Sequence, residues 1–222
     1  MIEAVIFDFD GTLVNTLPLL YRVFHTIFWE FNHENLTQEQ IAQRFGPPEE
    51  VLLKKYLSPT VWDQAMDRFF RLYEEGHGED VQPTPDVLHM LSAVRDQGFS
   101  MALVSNKGRK AMEISLQRTG LSQWFPIIIT GDDVTHTKPH PEGLETAMKN
   151  LGVSARRAIY VGDSGSDIEA ARNANMRFAV QAHWMTTTGG ARLGSPDFCA
   201  TNPNQLIPWI KMQASKEGNS AG

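Results

Sequence analysis

The sequence predicts an α/β protein: a doubly wound, Rossmann-like parallel sheet with a helical domain inserted after its first strand. Three observations predict it. Five short apolar runs, "AVIF" (4–7), "SMALVS" (100–105), "IIIT" (127–130), "AIYVG" (158–162) and "FAV" (178–180), lack strict alternation, as strands covered on both faces do. Helical patterns alternate with the later runs, the rhythm of a parallel sheet. Between residues 15 and about 80 that rhythm breaks, and amphipathic helical stripes follow with no strand between them.

Taken in order, the first strand is "AVIF". The insertion then shows one stripe of Leu17, Leu20, Tyr21, Phe24, Phe28 and Phe31, and a second of Trp62, Ala65, Met66, Phe69 and Tyr73. Their aromatics read as packing between helices. "GHGEDVQPTP" (76–85) is a Gly/Pro-rich junction. The helix of 85–98 carries Val87, Leu88, Leu91 and Val94 on one face and stops at Gly98. Those of 108–120 and 141–152 stop at Gly120 and Gly152, and the helix of 166–175 opens on a serine cap with an acidic first turn. The expected organisation is a catalytic core over 1–14 and 81–214, a helical cap over 15–80, and a disordered tail over 215–222.

The bulk composition narrows the function classes. The chain has 222 residues, 41% of them hydrophobic and 21% charged, enough for a core plus a smaller insertion. A net charge of −6 argues against a nucleic-acid binder. Cys199 is the only cysteine, so no intrachain disulfide forms. The acidic N-terminus does not read as a signal peptide, and no apolar run approaches the ~20 residues of a membrane helix. The cytoplasm is the expected location, no membrane partner is expected, and the "NLT" sequon at Asn35 is a chance match.

The chemistry gathers at strand ends. Asp8 and Asp10 lie one residue apart where the first strand stops, so their side chains start on the same side. Ser105 and Asn106 follow the second run, Lys138 the third, and Asp163 and Asp167 the fourth. In open α/β sheets ligands bind at these carboxyl ends. Carboxylates brought together there repel: two unit charges 4 Å apart interact by roughly 4 kcal/mol at an effective dielectric of 20. A divalent cation and a lysine reverse that sign, and an oxygen-only ligand set suggests Mg²⁺. Taken singly, each residue has a plainer reading: a turn aspartate, a helix cap, a surface lysine. His136 and His140 have the spacing of a helical metal pair, but Pro139 and Pro141 forbid a regular helix, so they are not read as ligands.

"DFDGTLVNT", "VSNK", "KPHPE" and "GDSGSD" resemble, in order and spacing, the four motifs of the haloacid dehalogenase superfamily of phosphatases. "TGDDVTHTKPHPEGL" (130–144) is similar to the phosphoglycolate phosphatase branch. The resemblance implies that Asp8 is the nucleophile, forming an aspartyl phosphate, and that Asp10 is the acid/base. It implies that Ser105 and the Asn106 backbone hold phosphoryl oxygens and that Lys138 neutralises charge. Gly11 and Thr12 would shape the phosphate side. Asp8, Asp10 (through its carbonyl) and Asp163 would bind Mg²⁺, and Asp167 would support the metal or orient Lys138. Asn15 stands where the family usually has Asp, at the hinge into the cap.

The expected substrate is a small phosphorylated metabolite such as phosphoglycolate, handled by a monomer or homodimer. In the cap loop "QRFGPPEE" (43–50), Arg44 is the candidate reader of a substrate carboxylate. Inorganic pyrophosphatase, sugar-phosphate phosphatase and phosphomutase activities on the same scaffold are the alternatives. A dehalogenase is disfavoured by Asp10, and phosphonoacetaldehyde hydrolase would need a cap lysine, Lys54 or Lys55. A non-catalytic binding protein is the remote alternative, because Asp8, Asp10 and Lys138 are all present.

Overall fold

The computed structural model describes residues 1–78, 81–185 and 195–218. Six parallel strands form one sheet: β1 (Ala4–Phe7), β2 (Ser100–Val104), β3 (Ile127–Ile129), β4 (Ala158–Gly162), β5 (Phe178–Ala182) and β6 (Phe198–Ala200). Their spatial order is β3-β2-β1-β4-β5-β6. The register sets Phe7 of β1 opposite Leu103 of β2 on one side and Val161 of β4 on the other. The chain builds outward from β1 through β2 to β3, then returns to β4 on β1's other flank. The order therefore reverses between β1 and β4, which leaves a crevice at their carboxyl ends.

After β1 come the helices of the insertion: α1 (Leu17–Asn32), α2 (Gln38–Ala42), α3 (Glu49–Tyr56) and α4 (Trp62–Glu75). The aromatic stripes pack α1 against α4, with Phe24 and Phe69 ring centroids 4.9 Å apart and both rings buried. Truncating such a ring to Ala costs about 3–5 kcal/mol, so Phe24→Ala would loosen the whole layer. The core helices are α5 (Pro85–Asp96), α6 (Arg109–Thr119), α7 (Glu142–Leu151), α8 (Gly165–Asn173) and α9 (Leu206–Gly218). The pleat divides the sheet's side chains. Val5 and Phe7 join the cluster that runs into the insertion and α5, whereas Ala4 and Ile6 pack with Leu144 of α7 and Ile168 of α8.

Several boundaries differ from the sequence expectation. β6 is an additional strand of three residues, "FCA", without the β-branched residues that mark the equally short β3. α2 and α3 also escaped the periodicity reading. α2 has only five residues and is held by a capping box between Thr37 and Gln40. α8 is capped by Ser164, whose hydroxyl accepts from the Asp167 N–H, so the serine cap lies two residues before the one expected. α9 runs through residue 218, beyond the expected boundary at 214. The rest of the expected tail, 219–222, and residues 79 and 80 of the junction lie outside the described residues. No described helix is long and apolar enough to cross a membrane.

Candidate active site

The turn that follows β1 places the two carboxylates. The N–H groups of Thr12, Leu13 and Val14 all donate to the Phe9 carbonyl, and Gly11 N–H donates to Val14 O at 2.9 Å. Gly11 sits at φ 76°, and a Cβ there would lie 2.3 Å from Asp163 Oδ2. The position therefore needs glycine for its backbone and for its space. The tight turn lets Asp163, at the end of β4, close onto the β1 carboxylates. Asp8, Asp163 and Asp167 are all buried, with carboxylate oxygens within 4.8 Å of one another.

Lys138 supplies the counter-charge. Its Nζ donates to Asp167 Oδ1 at 2.6 Å and to the Tyr160 hydroxyl at 2.8 Å, and lies 2.9 Å from Asp8 Oδ1. The Asp8 contact is a close ion pair. The Asn106 side chain fixes the lysine's loop from below. Its Nδ2 donates to Lys138 O at 3.0 Å, and its Oδ1 accepts from Lys138 N at 2.8 Å. Burial pushes the Asp8 carboxyl up to about 6, against the pull of Lys138 and helped by the Asp167 and Asp10 charges. Burial also works against ionised Asp167, but Lys138 and the Ser164 donors outweigh it and hold that carboxyl below its usual range. Lys138 is raised because the Asp167 and Asp8 charges overcome its desolvation.

A second buried lysine joins the insertion to the sheet. Lys107 Nζ donates to both Asp10 oxygens at 3.2 Å and to Glu49 Oε1 at 3.1 Å. Glu49, the first residue of α3, also accepts from Gly108 N–H at 2.7 Å through Oε2, just before α6. Burial disfavours the charged lysine, but Asp10, Tyr73 and Glu49 together hold its pKa well above the ordinary value. Thr16, which opens α1, donates from its hydroxyl to Asp10 Oδ1. Asp10 is therefore gripped from the sheet and from the root of the insertion at once.

The predicted residues divide into three groups. Asp8, Asp10, Ser105, Asn106, Lys138 and Asp163 line one cavity of about 340 Å³ between the sheet and the insertion. Gly11, Thr12 and Asp167 lie beneath it. Thr12 is fully buried, with its carbonyl accepting from Trp184 Nε1 at 2.8 Å. Both Asp167 oxygens are engaged, one by Lys138 and Tyr160, the other by the Ser164 N–H and hydroxyl.

Arg44, the candidate reader of a substrate carboxylate, does not line the cavity. Its guanidinium pairs with Glu34 at 2.7 Å and lies over the Phe28 and Tyr56 rings, 4.5 and 4.2 Å from their centroids. That arrangement braces the insertion. Lys107, Glu49 and Tyr160 were not singled out from the sequence. Lys107 stood in plain view in "VSNK", one residue beyond Ser105 and Asn106. A tyrosine inside the otherwise apolar strand "AIYVG" needs a partner for its hydroxyl, and Tyr160 finds Val104 O at 2.8 Å.

His136 and His140 do come together, on a turn rather than a helix. Their rings are 4.6 Å apart and both approach the Glu142 carboxylate, an exposed cluster away from the cavity. Asn15 has a buried Oδ1 with no hydrogen-bond partner.

A family model for haloacid dehalogenase-like hydrolases matches residues 5–181. Pyrophosphatase PpaX of Oceanobacillus iheyensis is 33% identical over 206 residues, which cover 93% of this chain and 95% of that protein. Pyrophosphatase PpaX of Halalkalibacterium halodurans is 30% identical, covering 96% of this chain and 99% of that protein. Among solved structures, a predicted phosphoglycolate phosphatase from Haemophilus somnus superposes with a TM-score of 0.81 at 23% identity, over 94% of this chain and 98% of that one. CbbY from Rhodobacter sphaeroides, solved with phosphate, gives 0.79 at 22% identity, over 93% and 96%. These last two establish the fold. The chain belongs to the haloacid dehalogenase-like hydrolase family.

Proposed function

We propose that the protein is a Mg²⁺-dependent phosphatase that hydrolyses a small phosphomonoester through an aspartyl phosphate on Asp8. The observation that carries this reading is the buried Asp8 carboxylate, which faces the cavity with Asp10 two residues on and Lys138 2.9 Å away. In the first step an Asp8 oxygen attacks phosphorus and the ester P–O bond breaks. Asp10 gives a proton to the departing alkoxide. In the second step Asp10 takes a proton from water, the resulting hydroxide attacks phosphorus, and the P–O bond to Asp8 breaks to release phosphate. Ser105 and the Asn106 N–H bind the phosphoryl oxygens, and Lys138 offsets the charge that builds on them.

The site fits a hard cation. Asp8, Asp163 and Asp167 bring buried carboxylate oxygens within 4.8 Å of one another, Lys138 pairs with Asp8 and Asp167 only, and the donors are all oxygen. Asp8, Asp163 and the Asp10 carbonyl would hold Mg²⁺, and Asp167, saturated by Lys138 and Ser164, orients the lysine instead. The cation supplies charge neutralisation for the phosphoryl group. The insertion acts as the cap over this site. A pyrophosphatase is the second reading, favoured by the PpaX relatives at 30–33% identity.

Turnover of p-nitrophenyl phosphate tests the reading. Activity should appear with Mg²⁺, vanish in excess chelator and return on Mg²⁺ addition. Full activity in excess chelator, or none under any condition, would overturn it.

A further inference from the structure

The cavity has two chemically different halves. The sheet contributes its polar floor, Asp8, Asp10, Ser105, Lys138 and Asp163. The insertion contributes its roof, and that roof is mostly carbon: Leu17, Leu20, Tyr21, Phe24, Phe45 and Leu52 line it, with the Tyr21 hydroxyl its one neutral polar side-chain group. The Tyr21 and Phe45 rings stack 5.4 Å apart, and Phe24 tilts against Phe45 at 5.6 Å, so the aromatic wall is continuous. Among the described residues the roof supplies no lysine, arginine or histidine. Its one charged residue is acidic, Glu49.

The lysines that do line the cavity are both in use. Lys107 is paired with Asp10 and Glu49, and Lys138 with Asp8 and Asp167. Arg44, on the same loop as Phe45, is turned away onto Glu34, Phe28 and Tyr56.

This arrangement has a consequence for the part of a substrate that leaves. The phosphoryl group occupies the floor, so the leaving group must lie against the roof. A second phosphate or a carboxylate there would give up part of its water to meet a mostly apolar wall beside Glu49, whose charge repels it, which disfavours an ionised group without a cationic partner. An uncharged carbon face gains by the same burial. The volume, about 340 Å³, is at the lower end of the ~300–1,000 Å³ range of small-molecule pockets, which fits a leaving group of one ring or a short chain.

We infer that the substrate is a phosphomonoester of an uncharged alcohol with an apolar or aromatic face, and that esters bearing a second anion are disfavoured. The inference rests on the phosphatase reading above and goes against the substrates that the expected phosphoglycolate branch and the PpaX relatives suggest.

Matched substrate pairs test it on the wild-type, Mg²⁺-loaded protein. The pairs are ethyl phosphate against phosphoglycolate, and phenyl phosphate against 3-carboxyphenyl phosphate. The neutral member should have the higher kcat/KM in each pair, by at least tenfold. Titration calorimetry with non-hydrolysable phenylphosphonate and phosphonoacetate should show the same preference for the ring in binding. Equal or better use of phosphoglycolate or 3-carboxyphenyl phosphate, or tighter binding of phosphonoacetate, would overturn the substrate class and leave the phosphatase standing. Preferred binding of phenylphosphonate with no turnover of any ester would do the reverse. A gain-of-function variant gives a further check: Leu20→Lys places a cation in the roof and should narrow the preference for ethyl phosphate over phosphoglycolate. An unchanged ratio in that folded variant would show that the roof does not set the discrimination.

Discussion

Removing the Glu49 carboxylate should unlatch the insertion from the sheet. Glu49→Ala deletes two contacts between α3 and the start of α6: Oε1 to Lys107 Nζ at 3.1 Å and Oε2 to Gly108 N at 2.7 Å. Hydrogen bonds to a charged group are worth about 1.5–3 kcal/mol each. The lower end applies, because Lys107 keeps both contacts to Asp10 and is not left unpaired. Gly108 N–H is left buried without that acceptor, a cost of similar size. The loss is therefore about 3 kcal/mol, or roughly a hundredfold in the equilibrium between latched and unlatched forms. The effect on kcat/KM reaches that size where the two forms are balanced in the free protein. The assay is steady-state hydrolysis beside a thermal melt, with Glu30→Ala as the control. That variant breaks an exposed pair with Arg68 inside the insertion and should leave kcat/KM unchanged. Glu49→Gln, which keeps the shape and an acceptor, should fall between parent and Glu49→Ala. A folded Glu49→Ala protein with both kcat/KM within twofold of the parent and an unchanged melting temperature would refute the latch.

Asp10→Asn keeps the nucleophile and should slow turnover by about 10²–10⁴-fold, and least in the first step for p-nitrophenyl phosphate, whose leaving group needs little protonation. Arg44→Ala should lower the melting temperature by about 3–6 °C, as expected for a loss of ~1–2 kcal/mol, and change KM for phosphoglycolate and p-nitrophenyl phosphate alike. A KM effect confined to the carboxylated substrate would restore Arg44 to the site. The folded-state pKa of Asp8 is raised from 3.8 to about 6, so the folded protein holds that proton longer than the unfolded chain does. In metal-free protein this contribution falls as pH rises from about 4 through 6. Mg²⁺ competes with the same proton, so the rise in melting temperature on adding Mg²⁺ should shrink between pH 7.5 and pH 5. An equal rise at both pH values would count against Asp8 as a ligand.

What the sequence made legible follows from how local each signal is. The strands at 4–7, 100–104 and 158–162 carry unbroken apolar runs, and the structure places them side by side in the sheet. Asp8, Asp10, Ser105, Lys138 and Asp163 could be read together because each follows a strand, and parallel strands present all their carboxyl ends on one edge. β6 could not be read, since "FCA" has no β-branched residue and does not stand out as an apolar run after "GSPD". The surroundings of Arg44 were not legible for a different reason. A loop sequence says that an arginine projects but not toward what, and the Glu34 carboxylate and two aromatic faces that capture it come from α1, α3 and the loop between α1 and α2. Glu49 and Lys107 are 58 positions apart and meet only because the insertion folds back over the sheet. The apolar roof was visible as aromatic stripes, but the same stripes pack helices. Only the fold separates Phe45, which lines the cavity, from Phe28, which is buried behind it.

The most direct test of the account is the site of phosphorylation. The Asp10→Asn protein, mixed with Mg²⁺ and p-nitrophenyl phosphate and quenched in acid, should carry one phosphoryl group. Reduction with borohydride followed by peptide mass spectrometry should place it on Asp8, and Asp8→Asn should carry none. A phosphoryl group on any other residue, or a parent rate retained by Asp8→Asn, would contradict nucleophilic catalysis by Asp8.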